Sequence, residues 1–303
     1  MRLPFLFCLC RCRTGVVIYM KLYTVEFQGE IFPALETAPG MLARLPYGTM
    51  NELLMDQVSH RDTVLRGAGE GTIPLADCRV RAPIPSPRQD VICLGMNYQK
   101  HKTEAEQFNK DAFTREKAKA VYFSKRANSC PGPGDPIPGH FDIVDSLDYE
   151  TELAVVIGKD AFRVAEEDAP EYVFGYTIVN DVSARNLQTG HKQWTFGKGL
   201  DGFTPMGPCI VTRDEFAWPP AQAIRTWING ELRQDAVTDE LIFGVAHIIH
   251  ELSQGMTLQA GTVIATGTPA GVGMGFDPPK FLRAGDVVTC FIEGIGTLEN
   301  EVE

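Results

Sequence analysis

The sequence predicts a mainly β protein of the α+β class. Short runs of β-branched and aromatic residues, each bounded by turn residues, recur along the chain, among them VICLG at 91–95, CIVT at 209–212 and TVIATG at 262–267. Only one segment has clear helical periodicity, and the 44% content of hydrophobic residues is that of a globular protein. Many strands and few helices imply a largely β architecture.

The net charge of the chain and the length of its apolar stretches oppose two classes of partner. A net charge of −11 and a pI near 5.1 oppose binding to nucleic acid, which requires clustered Lys and Arg against the phosphates. No apolar stretch approaches the roughly 18 to 20 residues that span a bilayer. We therefore expect a soluble protein that binds neither nucleic acid nor membranes.

Residues 1–19 are predicted to be an extension outside the fold. Their apolar run is interrupted by two arginines and lacks a small-residue cleavage site, so an organellar targeting peptide is the weaker interpretation. Met20 is followed at once by KLYTVEF, which alternates like a strand. A C-x-C-x-C run at 8–12 has no second group of metal ligands beside it, and the other cysteines stand apart next to apolar residues. We expect a reducing compartment, the cytoplasm.

A proline-rich segment marks the predicted domain boundary. Residues 81–90, RAPIPSPRQD, concentrate three prolines in a short stretch, as linkers do. We therefore predict a small N-terminal domain at 20–87 and the main body, with the chemistry, at 88–303.

The single predicted helix runs from about Asp239 to Gln254. Its apolar residues recur at ~100° per residue on one face, and Gly255 would end it. The members of this stripe are Leu241, Val245, Ile248, Ile249 and Leu252. His247 and His250 point away from the stripe, so an i, i+3 metal pair is conceivable, but an ordinary polar helix face is the preferred interpretation.

The stretch DYETELAVV places two glutamates at the mouth of an apolar strand. Glu150 and Glu152 lie on one face if the strand begins there, and the five residues after them are apolar on both faces, as in a doubly buried strand. Another apolar run, Tyr176 to Val179, ends in Asn180-Asp181. Convergence of Glu150, Glu152 and Asp181 would create a site for Mg²⁺ or Mn²⁺, with Ca²⁺ as a third candidate. A solvated strand end is the alternative for Glu150 and Glu152.

Six stretches in order resemble the fumarylacetoacetate hydrolase family and cover the chain from about Asp90 to its end. They are GMNYQKHKTE (95–104), LDYETELAVVIGK (147–159), GYTIVNDVSAR (175–185), FGKGLDGFTPMGP (196–208), ATGTPAGVG (265–273) and IEGIGTLENEV (292–302). The resemblance implies a mixed β roll or sandwich, a homodimer, and a Mg²⁺ or Mn²⁺ site formed by Glu150, Glu152 and Asp181. The ion would then relieve the repulsion between the paired glutamates.

The resemblance also implies catalytic and substrate-binding residues. His101 and Glu104 match the family's His-x-x-Glu dyad, in which the glutamate orients the imidazole as a general base. Lys198 matches the active-site lysine, and Gln188 and Thr268 match positions that contact substrate. Without the resemblance, His101 and Glu104 would be interpreted as a solvated charged turn and Lys198 as a turn residue. Arg185 is expected to brace the loop that bears Asp181.

The implied substrates are small anionic 2-oxo or 2,4-dioxo acids, which react through an enolate that a metal ion stabilises. Cleavage of a C–C bond, as by an acylpyruvase or an oxaloacetate decarboxylase, is the first hypothesis because the dyad is intact. An isomerase or hydratase of unsaturated 2-hydroxy dioic acids is the second. A third hypothesis is a metal protein that binds such acids without turnover.

Three further features are a candidate lid, two departures from the family pattern and a glycine-rich segment. The charged segment 101–119 is a candidate lid, with a permanently ordered surface helix as the alternative. Asn186 and Gly199 stand where many relatives have Asp and Ser, which affects the geometry near Lys198. The glycines at 271–275 lead into Pro278-Pro279 and cannot open the helix that a dinucleotide-binding loop requires.

Overall fold

The computed structural model describes residues 20–56, 58–110 and 119–303. The helices in this part of the chain are α1 (Met50–Met55), α2 (Val58–Arg66), α3 (Gln99–Phe108), α4 (Arg185–Gly190), α5 (Thr195–Lys198) and α6 (Val245–Ser253). Segments of 3₁₀ helix cover Leu75–Asp77, Glu166–Tyr172, Arg213–Glu215, Thr238–Glu240 and Gly273–Gly275. The predicted extension at 1–19, with its cysteine run, lies outside the described residues.

The strands define the architecture. They are β1 (Lys21–Phe27), β2 (Glu30–Ala38), β3 (Met41–Arg44), β4 (Ile73–Pro74), β5 (Arg79–Arg81), β6 (Val91–Gly95), β7 (Val121–Lys125), β8 (Leu147–Asp148), β9 (Thr151–Ile157), β10 (Val173–Asn180), β11 (Ser183–Ala184), β12 (Met206–Thr212), β13 (Ala223–Ile228), β14 (Glu231–Val237), β15 (Val263–Ala265), β16 (Val287–Ile292) and β17 (Gly296–Glu301). The prediction of a mainly β protein is confirmed.

One large mixed sheet carries most of these strands. Their order is β4-β3-β2-β1-β12-β10-β9-β15-β6-β7, with β5 beside β1. β15 and β6 are parallel, and the pairs around β9 and β10 are antiparallel. A second sheet has the order β14-β13-β16-β17, and β8 pairs with β11. The N-terminal strands continue the large sheet, because Leu22 of β1 pairs with Ile210 of β12. The domain division at 87/88 stays a prediction.

β9 is buried on both faces, as its continuous apolar run predicts. Leu153, Val155 and Ile157 share a core cluster with residues of the second sheet, among them Ile224 and Cys290. Ala154 and Val156 belong to a second cluster, which includes Leu53 and Leu54 of α1. The two faces of the large sheet are therefore covered by different layers, and the ends of β9 and β10 lie inside the protein.

The predicted helix at Asp239–Gln254 is wrong at its start. α6 begins at Val245, and Leu241 instead forms a β-bridge with Tyr98. The N–H groups of Ile242 and Phe243 donate to the backbone oxygen and the Oδ1 of Asn97, at 2.8 Å each. These tertiary hydrogen bonds hold the chain extended, so the helix starts only after Gly244. The end of the predicted helix, close to Gly255, is confirmed.

The histidines of α6 lie on a polar helix face. His247 Nδ1 is 3.0 Å from Glu166 Oε1, and His250 Nδ1 is 2.8 Å from the backbone oxygen of Val164. Within the described ranges, the one group of three potential metal ligands lies elsewhere. None of the described helices is both long and apolar enough to cross a membrane.

Candidate active site

Three carboxylates meet where β9 begins and β10 ends. Glu150 immediately precedes β9, Glu152 is its second residue, and Asp181 follows β10. Each offers an oxygen atom within 4.8 Å of the others, and all three side chains are buried. The backbone brings them together, because Asp181 N–H donates to the backbone oxygen of Glu150 at 2.8 Å and Glu150 N–H donates to Asn180 Oδ1 at 3.0 Å.

Basic side chains neutralise Glu150. Lys198, at the end of α5, donates to Glu150 Oε2 at 2.7 Å and to Asp181 Oδ2 at 2.8 Å. Arg185 Nη2 donates to Glu150 Oε1 at 2.6 Å. Burial alone would raise the pKa of Glu150, but the charges of Lys198 and Arg185 outweigh it, so this pKa lies well below its ordinary value. The repulsion expected between the paired glutamates is thus already offset at Glu150 by the protein's own cations.

Glu152 is not neutralised in this way. Its Oε2 accepts from Gly267 N–H at 2.7 Å, whereas its buried Oε1 has no hydrogen-bond partner. Burial, together with the charges of Asp181 and Glu150, raises the pKa of Glu152 well above its ordinary value. The site therefore has one bare carboxylate oxygen facing two other carboxylates.

Lys125 is a site residue that the sequence analysis missed. Its side chain is fully buried at the end of β7, and Nζ donates to Asp181 Oδ1 at 2.5 Å and to the backbone oxygen of Val182 at 3.0 Å. Asp181 therefore has an ammonium group on each oxygen. A lysine at the end of a short strand has no local signal that separates it from a surface residue, so only the spatial arrangement reveals it.

Arg185 does not brace the loop of Asp181 as expected. Its Nε donates to Asp148 Oδ2 at 2.9 Å, Nη2 pairs with Glu150, and Nη1 donates to Gln188 Oε1 at 3.0 Å. Asp148 in turn accepts from the N–H groups of Gly273 and Met274. Arg185 thus joins the carboxylate cluster to Gln188 on α4, while Asp148 joins it to the glycine-rich loop.

His101 and Glu104 lie one turn apart on α3. His101 is buried, and its Nδ1 is 3.7 Å from Glu104 Oε2, which is too long for a hydrogen bond. Both carboxylate oxygens of Glu104 accept from Gly271 N–H at 3.1 Å. The loop thus holds Glu104 beside the imidazole, and a small approach would close the dyad, as often happens when substrate binds.

A small cavity brings most of the predicted residues together. Its volume is about 10 Å³, room for roughly one water molecule. Its polar lining includes His101, Glu150, Gln188, Lys198 and Thr268, and its apolar lining includes Met96, Ala105, Trp194 and Met274. A 2-oxo acid needs more room than this, so its binding requires lining groups to move. His101 already faces this cavity, and residues 111–118 of the predicted lid lie outside the described part of the chain.

The residues present fit a divalent metal ion. Three carboxylates supply the hard oxygen ligands that Mg²⁺ and Mn²⁺ prefer, and the unpartnered Oε1 of Glu152 is a buried acceptor that a cation would satisfy. The cluster could therefore hold such an ion.

The family follows from a match that covers most of the chain. Residues 90–303 match the family model described as fumarylacetoacetate (FAA) hydrolase C-terminal. The chain belongs to the fumarylacetoacetate hydrolase family. It is an enzyme of this family, and the resemblance seen in the sequence is confirmed.

Individual members of the family are similar to this chain over much of its length. Oxaloacetate tautomerase YisK of Bacillus subtilis (strain 168) is 46% identical over 228 residues, which cover 75% of this chain and 74% of that protein. The fumarylacetoacetate hydrolase of psychrophilic Exiguobacterium antarcticum is 41% identical, with a TM-score of 0.80 and coverage of 94% of this chain and 99% of that one. Maleylpyruvate hydrolase from Sphingobium sp. SYK-6, in complex with manganese(II) ion and pyruvate, is 28% identical, with a TM-score of 0.73 and coverage of 93% and 98%.

The structure explains one of the two departures from the family pattern. A Cβ at Gly199 would lie 2.8 Å from the backbone oxygen of Thr195, so serine there would require a local shift. Asn186 donates through Nδ2 to the backbone oxygen of Ile143 at 2.9 Å. Neither residue lines the cavity.

Proposed function

We propose that this enzyme acts on small 2-oxo acids, oxaloacetate first among them, through an enolate at C3. The observation that carries the proposal is the shared cavity: Glu150 of the carboxylate cluster, His101 of the dyad and Lys198 all line it. Such chemistry requires carboxylates that hold a metal ion, a general base, and a cation that binds the substrate carboxylate.

Mg²⁺ or Mn²⁺ is the proposed cofactor, with Ca²⁺ as a third candidate, held by Glu150, Glu152 and Asp181. A bound ion would act as a Lewis acid that stabilises negative charge on the 2-oxo oxygen. The related maleylpyruvate hydrolase, which is in complex with manganese(II) ion and pyruvate, supports this choice of metal and of ligand.

Lys198, Gln188 and Thr268 are the proposed substrate-binding residues. The Lys198 ammonium lies at the cavity wall, and its pKa is raised because the charges of Asp181 and Glu150 outweigh burial, so it remains a cation that can attract a carboxylate. Gln188 Oε1 is engaged by Arg185, which leaves its amide nitrogen as the group that can donate to the substrate.

His101 is the proposed acid and base. Its Nδ1 faces Glu104, so Nε2 is the atom left to take a proton from the enol oxygen or from C3 of the substrate, and to return it. Glu104 would stabilise the imidazolium while the proton is held, and the buried position of His101 excludes bulk water from the transfer.

Keto–enol tautomerisation of oxaloacetate is the first candidate reaction, because the relative of 46% identity is an oxaloacetate tautomerase. It moves one proton between the enol oxygen and C3. Cleavage of a C–C bond is the second candidate, favoured by the His101–Glu104 pair and by the related maleylpyruvate hydrolase. In decarboxylation the bond to the distal carboxylate breaks, CO₂ leaves and C3 is protonated. In hydrolysis of an acylpyruvate, the oxygen of water adds to the acyl carbon, the bond between that carbon and C3 breaks, and C3 takes a proton, which gives pyruvate and a carboxylic acid.

The test uses enzyme stripped with EDTA and then reloaded with Mg²⁺ or Mn²⁺. The decay of enol absorbance is followed with oxaloacetate, and pyruvate release is followed with oxaloacetate and with acetylpyruvate. Glu150→Ala is the test variant and Glu70→Ala, at an exposed loop position, is the matched control. We expect metal-dependent enol decay that Glu150→Ala abolishes and Glu70→Ala retains.

The products distinguish the candidates. Accelerated enol decay without pyruvate release identifies a tautomerase, and pyruvate release identifies cleavage, with the preferred acid separating decarboxylase from hydrolase. Metal binding without turnover of either acid would contradict the proposal and favour the isomerase or hydratase of unsaturated dioic acids.

We also propose that the enzyme works as a homodimer. Phe141 and Ile143 are each 45% exposed, and Phe141 lines a groove of about 470 Å³ together with Phe281 and Leu282. A second copy of the chain would cover such a surface. Light scattering coupled to size-exclusion chromatography should give twice the mass of the chain, and a monomer mass would contradict the proposal.

The cytoplasm is the proposed compartment. Cys78, Cys93, Cys130, Cys209 and Cys290 are unpaired, and burial raises the pKa of these thiols, which suits a reducing environment. Fractionation of cells that express the full chain would test this, and recovery in an organelle would assign a targeting role to residues 1–19.

A further inference from the structure

Thr151, which separates the two glutamates, faces away from them. Successive side chains of a strand point to opposite faces, so Thr151 points toward the second sheet while Glu150 and Glu152 point into the site. Thr151 Oγ1 lies 2.5 Å from Thr226 Oγ1 of β13. The strand that carries the metal ligands is therefore tied to the other sheet at the residue between them.

Gln234 of β14 joins this contact to the substrate loop. Its side chain is fully buried, and its Oε1 accepts from Thr226 Oγ1 at 2.6 Å and from Thr151 N–H at 3.3 Å. Its Nε2 donates to Thr268 Oγ1 at 2.8 Å and to the backbone oxygen of Pro269 at 2.7 Å. An amide has two donor hydrogens and two acceptor lone pairs, so every hydrogen-bonding position of Gln234 is used.

The network closes into a ring through Thr268. The Thr268 hydroxyl accepts from Gln234 and donates to the backbone oxygen of Thr151 at 2.9 Å. Its position is thus fixed relative to both glutamates, and Thr268 lines the cavity. A fully satisfied network of buried hydrogen bonds is rigid, because no member can leave without exposing an unpaired polar group.

We propose that Gln234 is a positioning residue, which sets the distance between the metal-binding strand and the Thr268 loop. A 2-oxo acid held at the carboxylate cluster would then reach the backbone N–H of Thr268 without further adjustment of the loop, since the Thr268 hydroxyl already donates to Thr151. Gln234 does not line the cavity, so it acts through Thr268 rather than on the substrate. This inference rests on the proposed function, because it assumes that the acid binds between the cluster and Thr268.

Gln234→Glu tests the inference with almost no change in shape. A carboxylate keeps acceptors for Thr226 and Thr151 but loses the donors to Thr268 and Pro269. We expect the calorimetric affinity for Mn²⁺ to stay within about threefold, because the ligands and Thr151 remain held. The affinity of the Mn²⁺-loaded protein for oxalate should fall about tenfold or more, and KM should rise in parallel with a smaller change in kcat.

Matched variants separate positioning from a general loss of stability. Asp235→Asn changes the next residue of β14, which forms an exposed ion pair with Arg225, and should leave both affinities unchanged. Gln234→Met removes the amide without adding charge and should also weaken oxalate binding about tenfold. In a Thr268→Val background, Gln234→Glu should cost no further oxalate affinity, since the partner through which it acts is gone.

Two results would overturn the inference. One is a lower melting temperature of both Gln234 variants with oxalate affinity and KM unchanged, which would make the residue structural only. The other is wild-type protein that binds Mn²⁺ but not oxalate, which would overturn the proposed function as well. Wild-type protein that binds both ligands yet converts no 2-oxo acid would contradict the proposed reaction alone, and the oxalate affinities would still decide the role of Gln234.

Discussion

Glu152 differs from the other two carboxylates of the cluster in its electrostatic surroundings. Lys198 contacts both Glu150 and Asp181, and Arg185 and Lys125 add one further cation to each. Glu152 receives only the N–H of Gly267. A buried carboxylate without a cation destabilises a fold unless it is protonated or binds a metal ion. Glu152 is therefore the carboxylate best suited to attract the proposed ion, and it also lowers the stability of the metal-free fold.

Glu152→Gln should stabilise the metal-free protein while abolishing its affinity for Mn²⁺. The substitution removes an acid whose ionisation is disfavoured by burial and keeps the shape, so we expect the melting temperature of the EDTA-stripped variant to be about 2–4 °C higher at pH 7. Glu301→Gln, at an exposed position, is the control. A variant that melts at a lower temperature than stripped wild-type protein would show that Glu152 does not destabilise the metal-free fold.

The same pair of proteins should differ in the pH dependence of stability. The pKa of Glu152 lies well above its ordinary value of 4.5, so its contribution to stability is full below that pH and is lost as the pH rises through the pKa of the folded protein. The melting temperature of stripped wild-type protein should thus fall relative to Glu152→Gln as the pH rises above 4.5. A difference that shrinks with rising pH would contradict this assignment. Calorimetric scans between acidic and neutral pH would measure it.

Among the elements, α3 and the loop before Phe276 act as one unit. Glu104 of α3 accepts from Gly271 N–H, and Met274 of the loop belongs to a small apolar cluster with Ala105 of α3. The glycines of this loop allow the close approach, since a Cβ at Gly275 would lie 2.7 Å from Glu104 Cδ. The position of Glu104, the proposed partner of the general base, therefore depends on a glycine that takes no part in the chemistry.

Gly275→Ala should impair the His101–Glu104 pair and spare the metal site. The added methyl displaces Glu104, so we expect kcat to fall by about tenfold to a hundredfold, with Mn²⁺ affinity unchanged. Gly255→Ala is the control, because a Cβ there meets nothing within 4 Å. Full activity of Gly275→Ala would show that Glu104 can shift without loss of kcat and that its position is not critical.

For the whole molecule, the proposed metal site links two strands that belong to one sheet and, through Gln234, a second sheet. An ion that binds only the folded protein should therefore stabilise the entire fold. We expect Mn²⁺ at about 100 times its Kd to add about 2.7 kcal/mol to the free energy of unfolding of wild-type protein. Denaturant titration with and without Mn²⁺ would measure the gain.

Glu150→Ala should show no such gain, because it lacks one ligand, and Glu70→Ala should show the full gain. Stabilisation of Glu150→Ala by Mn²⁺ equal to that of wild-type protein would place the ion elsewhere on the molecule.

The sequence predicted the strands and the convergence of the three carboxylates because both have local signals. A run such as Leu153–Ile157, apolar on both faces, is stable only inside a packed sheet. Charged residues at the start of such a strand are unexpected unless they have a function. The six stretches of family resemblance cover the same region. The start of α6 was mispredicted because Ile242 and Phe243 donate hydrogen bonds to Asn97, which is far away in the sequence. The helical periodicity of the local sequence contains no information about such bonds.

The sequence by itself determined the class of fold, the family and the identity of the three clustered carboxylates. Strand periodicity and the order of the motifs are local features of the sequence, so no structure is needed to detect them. Only the tertiary structure decided how the charges are balanced, because Lys125 and Arg185 reach the carboxylates from elements far apart in sequence. It alone revealed Gln234, a neutral residue whose four hydrogen bonds depend on how two sheets pack. The physical reason is that burial and long-range pairing are properties of the packed molecule, and neither leaves a pattern in the neighbouring residues.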